Sequence, residues 1–157
     1  CWRQTVVATG AVLVSPTVAE SDATSHWQGV TDDFWLKRQL GFSILSSPGR
    51  ASVTLECDER HLNPNGVVHG AVVFALIDTG MGAALYPSLE TGQACATIEI
   101  KISYFRPVAS GEIHCATQID NKGRSIAHLT SRIGQGGKLV ALATGSFAIL
   151  AAPPASA

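Results

Sequence analysis

The residue with the clearest chemical potential is Asp78, the one acid in the apolar run from Ala71 to Tyr86. Burying an ionised carboxylate without partners costs on the order of several kcal/mol, so Asp78 must be solvated in a cleft, paired or protonated. Acids in such surroundings are enriched at functional sites, where they serve as bases or nucleophiles. The structural alternative is a carboxylate that hydrogen-bonds to neighbouring backbone. Eight residues earlier stands Gly70, at the start of the same run. The first N–H groups of a helix have no internal partner and sit at the positive end of its dipole, so a carbonyl oxygen gaining negative charge can be held there. His69 lies nine residues before Asp78, half a revolution round a helix, so the two make no dyad within one chain. His69 is either a helix-start residue bonding to loop backbone or a group at the substrate.

These residues need a helix to hold them. Asn63-Pro64 and Asn65-Gly66 are turn dipeptides and Pro87 cannot continue a helix, so the apolar stretch between them reads as one helix of about five turns. Val67, Ala71, Phe74, Ala75, Met81, Gly82 and Leu85 share the Asp78 face, with Leu76, Val73, Val72 and Ala83 behind. Apolar residues all round predict a fully buried helix. A short amphipathic helix is expected over Thr31–Leu40, ending at Gly41, with Trp35 packing into the core or a lid or touching a ligand. Gly41–Leu45 and Ala51–Cys57 read as strands around Ser47-Pro48-Gly49. Thr97–Phe105 alternates, which places Ile98, Ile100, Ile102 and Tyr104 on one face and Thr97, Glu99, Lys101 and Ser103 on the other. Strands at Glu112–Ile119, Ser125–Ile133 and Leu139–Leu150 follow, separated by turns at Asn121-Lys122-Gly123 and Gly136-Gly137, so three consecutive antiparallel hairpins are expected. The fold class is α+β, a sheet wrapped around one long helix.

The chain has 157 residues, 46% hydrophobic and 15% charged, which suits one globular domain with a real core. The expected organisation is a disordered leader over 1–25, a domain over 26–152 and a tail over 153–157. Val6–Val14 after Arg3 only weakly imitates a secretory signal and is too short to span a bilayer. A net charge of −1 argues against a broad nucleic-acid face, though not against a local basic patch for one phosphorylated ligand. Cys1, Cys57, Cys95 and Cys115 are scattered without metal or redox spacing, as expected of reduced thiols in a cytoplasmic protein. The histidines, among them His114 and His128, lack zinc-ligand spacing, so no metal is expected.

The segment Asn63-Pro-Asn-Gly-Val-Val-His69-Gly70, followed by Leu76-Ile77-Asp78, resembles the central helix of hotdog-fold acyl-CoA thioesterases, in particular the phenylacetate-pathway and 4-hydroxybenzoyl-CoA thioesterase type. The similarity extends over about 34–150. The resemblance implies hydrolysis of an acyl-CoA thioester, with Asp78 as general base or nucleophile, the Gly70 N–H as oxyanion donor and Asn63 orienting water or the thioester. It also implies that the Thr97 hydroxyl helps hold the water, although threonine is common in strands for propensity alone. Arg106, Lys122 and Arg124 would contact CoA phosphates, or else are solvated hairpin residues. Relatives with a glutamate on this helix use a helix threonine, and Asp78 with Gly82 departs from that branch. CoA enters as part of the substrate, with no other cofactor. The alternatives are a hydratase or dehydratase on the same fold, disfavoured by the His69–Asp78 spacing, and a non-catalytic acyl-CoA-binding protein. Gly70 and Asp78 are about 12 Å apart along one helix, too far for both to reach one carbonyl. A homodimer with antiparallel helices and shared sites is therefore expected, as the resemblance also implies, and a dimer of dimers beyond it.

Overall fold

The computed structural model describes residues 33–152. The expected leader at 1–25, the first two residues of the predicted Thr31–Leu40 helix and the tail at 153–157 lie outside the described residues. Helix α1 is shorter than predicted, Trp35–Leu40, and stops where Gly41 adopts φ 74° and returns its N–H to Lys37 O. Trp35 is 68% exposed, so it is not a core residue. Strands β1 (Ser43–Ser47) and β2 (Arg50–Cys57) form a hairpin whose turn needs the positive φ of Gly49.

A loop with one 3-10 turn at Glu59–His61 leads to helix α2, Gly70–Leu85, which passes into a second 3-10 turn at Tyr86–Ser88. The helix is thus a little shorter than five turns. Asn63–Val68 form a closed loop, in which Leu62 bridges Val68, because Gly66 takes a positive φ that breaks any helical start. By length and composition 70–88 is apolar enough to cross a membrane, but it is the core helix, packed against β1, β2, β4, β5 and β3. Leu76, Ile77, Met81 and Leu85 are fully buried against Leu55, Ile113, Leu129 and Ile133. Close approach depends on missing side chains. A Cβ at Gly145 would sit 2.5 Å from Met81 Sδ, and one at Gly80 would sit 2.8 Å from Thr117 Oγ1. The predicted all-round burial fails on one stripe. Ala71 and Phe74 are exposed, and Ala75, Asp78 and Gly82 are half-buried.

Strands β3 (Gln93–Tyr104), β4 (Gly111–Lys122), β5 (Ile126–Gln135) and β6 (Lys138–Ala151) complete an antiparallel sheet of order β1-β2-β4-β5-β6-β3. The β4-β5-β6 hairpins are as expected, but β3 pairs with β6 and not with β4. The chain leaves α2 at the far edge of the sheet, and 105–110 carries it back across the strand ends. Phe105 and Arg106 N–H bond to Val140 O on the way, and Val108 O receives Val68 N–H.

A second correction decides the site. Opposite β6, Thr97 pairs with Phe147 and Glu99 with Ser146, so Ile98 is an extra residue in a β-bulge. The bulge resets the alternation. Thr97 shares the inner face with Ile100, Ile102 and Tyr104, whereas Glu99 and Lys101 face outward, and Ile98 is left 56% exposed at the edge.

Candidate active site

The half-buried Asp78 lies on the uncovered stripe of α2, beside the start of β3. Because the bulge turns Thr97 inward, its Oγ1 donates to Asp78 Oδ1 at 2.7 Å. A hydroxyl donating to a carboxylate is a strong, orienting bond. It fixes one carboxylate oxygen and leaves the second to accept from another group. Cys95, two residues before Thr97, is pushed up to about 11 by burial and then by the negative charge of Asp78. Burial likewise raises Cys57 to about 11 and Cys115 to about 12. All three are neutral thiols near pH 7 and poor nucleophiles.

The start of α2 has four N–H groups without helical partners in the preceding turn. His69, the N-cap, engages two of them and accepts the first bond of the helical ladder. Its Nδ1 accepts from Ala71 N at 3.0 Å, and its carbonyl accepts from Val72 N at 2.9 Å and Val73 N at 3.4 Å. Among the described residues none accepts from the Gly70 N–H, which is therefore the donor available to a ligand. His69 is thus a helix cap in this chain. From the sheet side, Tyr104 Oη donates to Gly70 O at 3.0 Å.

The preceding loop is tied down at several points. Asn63 Oδ1 accepts from Asn65 N at 2.8 Å, while Asn63 N donates to Val67 O. In the protomer Asn63 therefore shapes the turn, and among the described residues its Nδ2 has no acceptor. His61 is buried. Its Nδ1 accepts from Asp58 N at 3.0 Å, so Nε2–H is the donor to Leu40 O at 2.9 Å, and its carbonyl receives His69 N–H. Arg60 in turn holds the Asp58 carboxyl down at about 2, chiefly through their side-chain hydrogen bonds. His61 and Tyr104 escaped sequence reasoning. A histidine that closes a turn carries no spacing signal, but a tyrosine ending an inward row of isoleucines does mark a polar group aimed at the helix.

The basic residues do not converge within one protomer. Arg106 lies at the Tyr104 end of β3 and donates from Nη1 to Leu139 O at 2.6 Å. Lys122 and Arg124 lie at the other end, where the neighbouring Ser125 O receives the N–H of Ile149, the partner of Cys95. No group of three or more His, Cys, Asp or Glu side chains among the described residues is arranged to hold a metal.

A family model described as the thioesterase superfamily matches residues 65–141, the segment holding α2, β3, β4 and β5. PA0474 of Pseudomonas aeruginosa, a protein assigned to the esterases, is 34% identical over 98 residues, covering 60% of this chain and 72% of its own length. The chain belongs to the thioesterase superfamily. Its fold is the hotdog fold, one long helix against a six-stranded antiparallel sheet. Conserved protein PA5202 from Pseudomonas aeruginosa superposes with a TM-score of 0.72 at 34% identity, covering 75% of this thioesterase and 95% of that chain. Thioesterase HI1161 from Haemophilus influenzae gives 0.70 at 27% identity, with 74% and 82% covered. A variant of the phenylacetic acid degradation protein PaaI from Thermus thermophilus gives 0.68 at 29% identity, with 73% and 98% covered. The chemistry of the family is thioester hydrolysis.

Proposed function

We propose that this thioesterase hydrolyses acyl-CoA thioesters at two equivalent sites, each shared between the protomers of a homodimer. The observation that carries the reading is the pairing of two groups along one uncovered stripe: the Gly70 N–H without an acceptor among the described residues, and Asp78 held by Thr97. They stand about 12 Å apart along α2, so each needs a counterpart from a second helix. The outer edge of β3 is twelve residues long and unpaired within the described residues, with Ile98 and Phe105 exposed beside it. A long unpaired edge of this kind favours pairing with another strand. Twofold antiparallel pairing centred near Ile100 and Lys101 sets Asp78 of one chain beside Gly70 of the partner subunit. It also brings Lys122 and Arg124 toward Arg106 of the partner subunit, a basic set suited to the phosphates of CoA.

In the reaction the thioester carbonyl oxygen accepts from the Gly70 N–H. Asp78 takes a proton from water through the carboxylate oxygen not held by Thr97. The water oxygen attacks the carbonyl carbon, and the tetrahedral oxyanion is stabilised at the helix start. Collapse expels CoA as thiolate, a good leaving group that needs no strong acid, and leaves the free acid. Asn63, through Nδ2, orients the thioester or the water.

Asp78→Asn keeps shape and removes the base, so turnover on a panel of acyl-CoAs, read as thiol release, is expected to fall by roughly a hundredfold or more. Near-normal hydrolysis in this variant would reject the mechanism. Mixing Asp78→Asn subunits with subunits carrying Gly70→Pro, which lacks the donor N–H, should restore one intact site per heterodimer. A fully active monomer in sedimentation would sink the shared site.

A further inference from the structure

We infer that Tyr104 is a positioning residue for the oxyanion donor, holding Gly70 in place through its carbonyl. The inference rests on the hydrolytic reading above. Gly70 is the first residue of α2, has no side chain to pack, and keeps its N–H open for a ligand. A glycine at a helix start is the position most prone to fray. Among the described residues its one tie from outside the helix is the Tyr104 hydroxyl, which donates to Gly70 O at 3.0 Å. The ring also packs closely on this position: a Cβ at residue 70 would meet Tyr104 Oη at 3.3 Å and Cζ at 3.5 Å, tight enough that the phenol would have to give by a few tenths of an ångström.

The same strand also fastens the other half of the chemistry. Seven residues before Tyr104, Thr97 holds Asp78. Strand β3 therefore clamps both working points of α2 with hydroxyl groups, one on a carboxylate and one on a carbonyl. An oxyanion donor is effective only within a few tenths of an ångström of the developing charge, so loosening residue 70 lowers turnover without removing any contact to the ground-state substrate.

Tyr104→Phe keeps the ring and deletes the hydroxyl. The expected result is a kcat lower by about fivefold to tenfold, as for loss of one orienting hydrogen bond, with KM within about twofold and the pH profile of kcat unmoved. Amide exchange of 70–76 should accelerate several-fold relative to 77–85. Gly70→Ala should lower kcat similarly by displacing the ring, and the double variant should be little worse than either single one. Unchanged kcat and exchange would overturn the inference. So would a raised KM at constant kcat, which makes Tyr104 a substrate contact, or a shifted pH profile, which makes it a proton-transfer group. Asp78→Asn assayed alongside keeps the two readings apart. If it still hydrolyses thioesters the reaction mechanism fails, whereas the exchange of 70–76 in Tyr104→Phe decides the role of the hydroxyl in either case.

Discussion

Thr97→Val tests the part of the site that the bulge creates. Valine keeps the β-branched shape suited to a strand and removes only the hydroxyl. A hydrogen bond to a charged acceptor contributes roughly 1.5–3 kcal/mol. Thr97 is exposed and Asp78 half-buried, so water replaces part of the 2.7 Å bond, which leaves a net loss of about 1–2 kcal/mol. If that loss falls on the transition state, kcat drops roughly fivefold to thirtyfold. Substrate affinity should hardly change, because the hydroxyl orients the base and does not grip the acyl group. Thr97→Ser restores the donor and should recover to within about threefold of the parent. Steady-state thiol release with one acyl-CoA over a range of concentrations separates kcat from KM. A kcat for Thr97→Val within about twofold of the parent would show that the bond is incidental, and equal losses in the valine and serine variants would point to packing.

Two further outcomes follow from the local electrostatics. The Asp58 carboxyl is held at about 2 by Arg60, below its unfolded value of about 3.9, so its stabilising effect is complete above that unfolded value and is lost as pH falls through about 2. Asp58→Asn should flatten this acid limb in urea midpoints measured between pH 5 and 2, and an unchanged limb would show that the pair does not act on stability. With thiols raised to about 11 or 12, Cys57, Cys95 and Cys115 should alkylate slowly in iodoacetamide at pH 7.5, and Cys95→Ala should keep thioester hydrolysis within about twofold. Rapid labelling of Cys95 together with loss of activity would contradict that assignment.

The helix and its acid were legible because they rest on local rules. Turn dipeptides and Pro87 bound the apolar run, and a lone carboxylate within it stands out whatever the packing. The strands of the β4-β5-β6 meander were legible for the same reason, since short turns bring neighbours together. The placement of β3 was not. Its partner is β6, more than thirty residues further on, and nothing local distinguishes that pairing from a hairpin with β4. The face of Thr97 was also misread, because alternation from Ile98 to Tyr104 is regular and the bulge that resets it lies at the start of that stretch. The exposed stripe on α2 was hidden as well. Ala71, Phe74 and Ala75 are as apolar as the buried side, so hydrophobic pattern alone cannot tell a surface awaiting a ligand or a second helix from a core.

The bulge and the edge position of β3 act together. An edge strand keeps one row of backbone groups unpaired, which suits it to a second chain, but a regular strand would present Thr97 outward, away from Asp78. One extra residue at Ile98 turns Thr97 toward the helix without disturbing Ile100, Ile102 and Tyr104 further along. The strand that would build the dimer is thus also the strand that touches Asp78 near one end and Gly70 near the other. If two copies of β3 run antiparallel, the end that orients the base in one protomer lies beside the end that secures the oxyanion donor in its partner. Deleting Ile98 would give a regular strand with Thr97 still opposite Phe147 and Glu99 still opposite Ser146, so Thr97→Val should lower turnover more than loss of Ile98 does, and the reverse order of damage would show that the bulge itself is needed.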